Sequence, residues 1–330
     1  MLDDKELLYS IAILYYKESL TQQKISEKMG ISRPMVSRAL EKALKMGIVQ
    51  VDIIPPAGVS EKEQRLAKLL GINEVIISPK TDSRSSDRNN RIQDIAVCAG
   101  NLLLDLIQGK KNVGIGWGKT VYQTVLSSCG SKERSNVRFV PLVGSLGRTE
   151  PYFQVNVILD RITEKMKGEG MFYNFPAFVK APQIANYFMK DEQLLSIKQV
   201  WNNLDLAIFG LGGFGGEPSF PIEEYSDNVL QKLHENEIVG DILGRFFNAK
   251  GFITCGSGPN SYIPANSGNE EESKYFGISI EAFMKAKDKV CLCGGEAKVD
   301  GIISACKLKY MTKLITDVYT AKELLGELEK

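Results

Sequence analysis

The sequence predicts two folds in one chain: an all-α winged helix-turn-helix unit over residues 1–56, and an α/β unit built on a parallel sheet over residues 57–330. Three observations carry this. Residues 21–46 read as two short amphipathic helices broken at Gly30. Pro55-Pro56-Ala57-Gly58 then interrupts all periodicity and marks a boundary. Beyond it, strand-like and helix-like stretches alternate to the C-terminus, the pattern of a parallel sheet with helices on both faces.

In the first unit, Leu7, Leu8, Ile11, Leu14 and Tyr15 fall on one face of a supporting helix over residues 3–18. Ile25 and Met29 mark the next helix, and Val36, Leu40, Ala43 and Leu44 the one after Gly30. Ser32 is placed to cap that last helix, and Pro34 falls in its first turn, where no intrahelical bond is lost. Arg33, Met35, Ser37 and Arg38 then point outward, the positions from which such a helix reads a major groove. Thr21, Gln22, Gln23, Ser32, Pro34 and Lys42 complete the expected DNA-facing set. Over residues 21–47 six basic side chains face two acidic ones, whereas the whole chain carries a formal charge of only +1. The alternation at Ile48, Val49, Val51 and Ile53 is that of a short wing strand.

At 330 residues the chain exceeds what one core usually supports, ~250–300 residues. Its 43% hydrophobic and 25% charged content are those of a globular protein. The start, Met1-Leu2-Asp3-Asp4, is acidic and unlike a signal peptide, and no apolar run reaches the ~18–20 residues that span a bilayer. A cytoplasmic protein without a membrane partner is expected. Six cysteines lack any C-x-x-C spacing, and the Cys291/Cys293 pair sits in an apolar run. Buried free thiols are the expectation, with no metal and no cofactor. The single histidine, His234, lies in a polar helical stretch and gives neither a zinc site nor a histidine acid–base pair anything to build on.

In the second unit, Ser60 and Glu63 form a capping box that opens a helix whose Leu66, Leu69 and Leu70 are expected to face inward. Strands are expected at 74–79, 112–116, 137–143, 169–175, 204–209, 289–293 and 312–316. Helices fall between them, with residues 83–91 as a polar loop. Ligands of such sheets sit beyond the carboxyl ends of the strands.

Three glycine-rich segments occupy those ends. Gly114, Gly116 and Gly118 precede Lys119 and Thr120 at a helix start, where backbone N–H groups, an ammonium and a hydroxyl can meet an anion; a plain tight strand–helix turn would use the same glycines. Val113 stands where a Walker A loop needs glycine. Gly144, Ser145, Gly147 and Arg148 form the second, in which Arg148 can clamp a phosphate or carboxylate or simply be a surface residue. Gly210, Gly212, Gly213 and Gly215 match G-x-G-x-x-G but run into Glu217-Pro218, so a flexible ligand loop is expected rather than a dinucleotide site. No nucleophile–base pair accompanies them, and catalytic residues are not expected.

In order along the chain stand ILYYKESLTQQKISEKMGISRPMVSRAL, GIGWGKT, PLVGSLG with Tyr152, Val155 and Asn156, LDLAIFGLG, VGDILGRFF, GGEAK and LITDVYTAKELL. Together they resemble the SorC family of sugar-responsive bacterial transcription regulators, and within it the regulators of sorbose and sorbitol operons. The resemblance covers nearly the whole chain. It implies a C-terminal domain similar to sugar-phosphate isomerases and deaminases, double-stranded operator DNA as partner, a sugar or sugar-phosphate effector, and a homotetramer. It also implies that Gly116, Trp117, Gly118, Lys119 and Thr120 hold a phosphate or hydroxyls. Asp241 and Lys298 would bind sugar oxygens, with Gly144, Ser145, Arg148, Tyr152, Asn156, Gly210, Gly212 and Glu296 around them. The chain departs from the family in a longer polar loop at 255–274 and in Lys274, where many members carry arginine. The alternative is an isomerase- or deaminase-like enzyme with a DNA-binding appendage, in which Lys298 could form a Schiff base.

Overall fold

The computed structural model describes residues 5–49, 60–79, 88–146, 150–177, 187–188, 190–213, 235–253 and 275–330. The chain divides into two compact units, Met1–Pro55 and Pro56–Lys330.

In the first unit α1 (Lys5–Ala12) continues into a π turn (Ile13–Lys17), followed by α2 (Gln22–Met29) and α3 (Arg33–Lys45). Leu8, Ile11 and Ala12, Ile25, and Val36, Ala39, Leu40 and Ala43 close one buried cluster, so α1 supports the helical pair as its apolar face predicts. Leu7, Leu14 and Tyr15 only border it. The wider winding of the π turn takes residues 13–17 off the α-helical register. Leu44, expected inward, is 41% exposed. Gly30 caps α2 with φ 65°, a conformation glycine adopts without a Cβ penalty. Ile48 and Val49 are not in a strand: both N–H groups donate to the Ala43 carbonyl, folding the chain back on the end of α3. The remainder of the expected wing and the Pro55–Gly58 boundary stretch lie outside the described residues.

The second unit opens with α4 (Glu61–Leu70), which the predicted capping box starts: Glu63 N–H donates to Ser60 Oγ at 3.4 Å and Ser60 N–H to Glu63 Oε2 at 3.1 Å. Glu63 Oε1 also accepts from Ile77 N–H at 2.8 Å, pinning the helix start to the first strand. The chain then runs β1 (Glu74–Ser78), α5 (Arg88–Ile107), β2 (Asn112–Ile115), α6 (Lys119–Ser127), β3 (Arg138–Pro141), α7 (Val155–Met166), β4 (Glu169–Gly170), α8 (Glu192–Trp201) and β5 (Leu206–Gly213). A hairpin follows, β6 (Gly240–Ile242), β7 (Arg245–Asn248) and β8 (Gly251–Ile253). Last come α9 (Ile280–Lys285), β9 (Asp288–Leu292), α10 (Val299–Lys307), β10 (Lys313–Asp317) and α11 (Val318–Leu328).

The strands lie in the order β1-β10-β9-β5-β2-β3-β4, all parallel, with β6 antiparallel on the end of β5. From β2 the chain winds outward through β3 to β4, and from β5 the opposite way through β9 to β10. Right-handed crossovers therefore send helices to opposite faces. α5, α6 and α7 pack in a row, while α4, α10 and α11 form a separate packed group. The central strand β5 is buried along almost its whole length, as two covered faces require. The direction of winding reverses between β2 and β5, the switch point where α/β sheets bind ligands.

Five expectations for this unit need correction, the first being Leu69, expected inward but 40% exposed. Residues 88–91 belong to α5 rather than to a loop; residues 83–87 lie outside the described set. The strand expected at 169–175 stops at Gly170, because the Asn156 amide takes both backbone groups of Tyr173 and ends the ladder. Gly210, Gly212 and Gly213 are not in a flexible loop but inside β5, with Gly212 paired to Asp241 and Gly213 to Gly240. A Cβ on Gly213 would stand 2.5 Å from the Ala297 carbonyl, so the glycine there answers a close backbone approach. Cys129 is exposed, while Cys98, Cys291, Cys293 and Cys306 are buried thiols. Burial pushes the Cys306 thiol up to about 12, an inert state. Arg148, His234, Cys255 and the 255–274 loop with Lys274 fall outside the described residues.

Candidate DNA-reading surface and effector rim

At the start of α3, Ser32, Arg33, Pro34, Ser37 and Arg38 are exposed, whereas Met35 and Lys42 are half-buried. Ser32 holds the cap position but its hydroxyl makes no capping bond; its carbonyl accepts from Met35 and Val36 N–H instead. With those two N–H groups bonded and Pro34 lacking one, the start of α3 offers an anionic backbone its exposed side chains rather than a row of open N–H groups. A side-chain cap is found instead on the preceding helix, α2, where Thr21 Oγ1 accepts from Lys24 N–H at 3.3 Å. Gln23 is tied to Glu27 at 2.9 Å and Lys45 to Glu41 at 2.7 Å. Arg33 and Arg38 are both exposed, and Arg38 Nε donates to the Pro34 carbonyl at 3.4 Å.

In the second unit the segments that leave β2, β3 and β9 gather at the carboxyl rim around the end of β5. After β2, Gly116 N–H donates to Ile208 O at 2.8 Å, and Trp117 is buried. Gly118 opens α6 with φ 122°, its N–H donating to the Tyr152 carbonyl at 2.9 Å. Thr120 is buried at 8% exposure, and Lys119 is exposed with its ammonium on Asn89 Oδ1 at 2.7 Å. After β3, Gly144 and Ser145 are braced by Phe276 O and Phe175 O at 2.7 and 2.9 Å. Tyr152 is half-buried. Asn156 faces away from this group, since its amide is spent on Tyr173 and Asn174.

After β9, Gly295 N–H donates to Thr320 Oγ1 at 2.7 Å, and Thr320 donates in turn to Asp317 Oδ2 at 2.7 Å. The helix expected from Gly295 begins as a 3₁₀ turn, Glu296–Lys298, which leaves Glu296 exposed and Lys298 half-buried at the cap of α10. Asp241 is buried on β6 beside Gly212 and accepts from Gly244 N–H at 3.3 Å. Burial pushes its carboxyl up to about 6, against the pull of Gly244 N–H and of the Lys298 ammonium, which brings these two predicted residues into one electrostatic unit.

Lys119 and Lys298 both stand at helix N-termini, where a cation is disfavoured by roughly 0.3–1 kcal/mol. Asn89, Leu243 and the Asp317–Thr320 pair belong to the rim and were missed from the sequence. Only the Asp317-x-x-Thr320 capping spacing carried a signal.

A helix-turn-helix unit and a doubly wound α/β unit with a polar rim at its switch point define the class of effector-controlled transcription regulators. The chain belongs to the family described as "Putative sugar-binding domain", whose model matches residues 55–326; residues 10–55 match the MarR family. It is 27% identical over 336 residues to the sorbitol operon regulator of Klebsiella pneumoniae, covering 98% of both proteins. It is 25% identical over 329 residues to the deoxyribonucleoside regulator of Bacillus subtilis (strain 168), covering 99% of both. The crystal structure of the full-length sorbitol operon regulator SorC superimposes with a TM-score of 0.78 at 25% identity, over 98% of this chain and 99% of that one. The SorC-family resemblance drawn from the sequence holds across the chain.

Proposed function

We propose that this protein controls a carbohydrate-utilisation operon, binding operator DNA through residues 1–56 and a sugar or sugar phosphate through residues 57–330. The observation that carries the reading is the buried Asp241 carboxyl, paired on the β5–β6 ladder with Gly212 and so beside Gly213, against which the Lys298 stem packs, leaving the Lys298 ammonium to act on the carboxyl. A buried carboxylate accepts two hydroxyl protons, and an ammonium at a helix N-terminus meets an anionic or hydroxyl oxygen. Gly116, Gly118, Lys119 and Thr120 hold the phosphate or leading hydroxyls, with Ser145, Arg148, Tyr152 and Glu296 around the remainder.

The working form is a symmetric cytoplasmic homotetramer that presents paired DNA-binding units to operator half-sites. Effector binding changes operator affinity only by its difference in affinity for the two states, so the two ligands are reciprocally linked. The test is calorimetry with polyols, ketoses and their phosphates, followed for each by product analysis. Saturable binding without turnover supports the regulator; turnover of a sugar phosphate returns the account to an isomerase- or deaminase-like enzyme.

A further inference from the structure

Asp241 enters the β6–β7 hairpin one residue before its turn, and that turn is unusual. Leu243 and Gly244, its two central residues, both have positive φ, 56° and 78°. Such turns are normally built from Asn, Asp or Gly, and a branched leucine in this region is a genuine outlier. A strained residue persists only where its surroundings hold it.

Three contacts do so. Gly244 N–H donates to Asp241 Oδ2 across the turn at 3.3 Å. The Tyr275 hydroxyl donates to the Leu243 carbonyl at 2.8 Å. The Arg245 guanidinium lies 4.0 Å from the Tyr275 ring centroid, and its Nη2 donates to Ile278 O at 3.2 Å. Residues 275–278 are themselves bolted to the rim: Phe276 O accepts from Gly144 N–H, and Ile278 N–H donates to Leu142 O. The Tyr275 ring reaches Leu243 only because residue 277 is glycine, since a Cβ there would stand 2.5 Å from the ring. Leu243 in turn covers Gly116, where an added Cβ would meet its Cδ2 at 2.6 Å.

We infer that Tyr275 is a positioning residue for the effector site, holding the strained Leu243–Gly244 turn so that Asp241 is set at the rim and Leu243 is seated on Gly116, with Arg245 steadying its ring. The inference rests on the effector reading of Asp241. Without the hydroxyl, Leu243 is free to leave its strained conformation, and Gly244 N–H then leaves Asp241.

The experiment is a double-mutant cycle of effector affinity on the full chain. The probe is whichever of sorbitol 6-phosphate, fructose 6-phosphate, glucose 6-phosphate or deoxyribose 5-phosphate binds wild type most tightly by calorimetry. Tyr275→Phe is expected to weaken it about five- to tenfold, the loss of one hydrogen bond. Asp241→Asn weakens it by more, and the double variant binds no worse than Asp241→Asn alone, because the tyrosine acts through the carboxylate. Gly277→Ala, which displaces the ring from another position, reproduces the Tyr275→Phe loss. Thermal stability is read in parallel.

Additive losses from Tyr275→Phe and Asp241→Asn overturn the positioning role, as does a Tyr275→Phe protein that melts lower yet binds the probe as wild type does. If Asp241→Asn itself binds normally, or no probe binds wild type, the effector reading fails and the inference falls with it.

Discussion

Gly118 and Gly295 adopt the same backbone conformation, φ 122° with ψ 153° and φ 123° with ψ 142°, each three residues beyond one of the two strands that flank β5. Each precedes a helical turn carrying a lysine, so Lys119 and Lys298 enter the rim from opposite sides of one strand. Among the described residues, no atom stands within 4 Å of a Cβ placed on either glycine. The requirement for glycine is therefore conformational and not steric.

Gly118→Ala and Gly295→Ala should each cost about 1–3 kcal/mol, the strain of an L-residue held at such φ. Urea unfolding of the full chain measures this. Equal midpoints for variants and wild type would show that the two turns relax without penalty. Effector affinity should fall in the same variants, since each turn presents its lysine.

If Asp241 accepts sugar hydroxyls, effector binding should depend on pH. The folded-state Asp241 carboxyl is raised to about 6, so the buried ionised form costs stability at neutral pH, and that cost is relieved as pH falls through about 6. Asp241→Asn should accordingly melt above wild type at pH 7.5, with the gap closing towards pH 4. Affinity for a neutral polyol, which needs the carboxylate as acceptor, should drop below about pH 6 in wild type and show no such inflection in the variant. A flat wild-type profile between pH 5 and pH 8 would place the carboxylate away from the ligand.

Lys298→Met separates a phosphate contact from a hydroxyl contact. If the ammonium meets a phosphate, the variant loses about 1.5–3 kcal/mol for a phosphorylated sugar, the worth of a hydrogen bond to a charged group, and much less for its unphosphorylated parent. Equal losses for both would make Lys298 a hydroxyl ligand. Either result should leave operator binding without effector intact.

On the DNA side, Arg33→Ala or Arg38→Ala should lower specific operator affinity by about 1–3 kcal/mol if that arginine reads a base edge. Loss of a phosphate contact such as Lys24 should instead weaken all sequences alike and reduce the salt slope by about one unit. Unchanged discrimination between operator and scrambled DNA in both arginine variants removes the start of α3 from the reading surface.

The sequence made most of this architecture legible because its signals were local. Apolar spacing, Gly30 and the Ser60–Glu63 box placed helices that the structure has, and alternating apolar runs placed the parallel strands. What failed depended on tertiary contact. Gly210 and Gly212 looked like a loop because glycine spacing cannot distinguish a flexible turn from a strand crowded by the Ala297–Lys298 turn. Ser32 resembled a cap, yet its hydroxyl makes no capping bond. At the rim, Asp241 and Lys298 were nameable from their blocks, but Leu243, Tyr275 and Asn89 were not. Each matters through a partner at least 30 positions away, and no window of sequence carries that pairing.

The central claim, that sugar binding in the second unit controls DNA binding by the first, is tested most directly by one titration. Fluorescence anisotropy follows an operator selected by the protein from random-sequence DNA, with and without saturating sugar phosphate, for wild type, Asp241→Asn and Lys298→Met. Wild-type affinity should change about 5–150-fold with effector, the usual span of allosteric coupling, while the two variants bind the operator normally and no longer respond. Superimposable wild-type curves with and without a sugar that demonstrably binds would contradict the account.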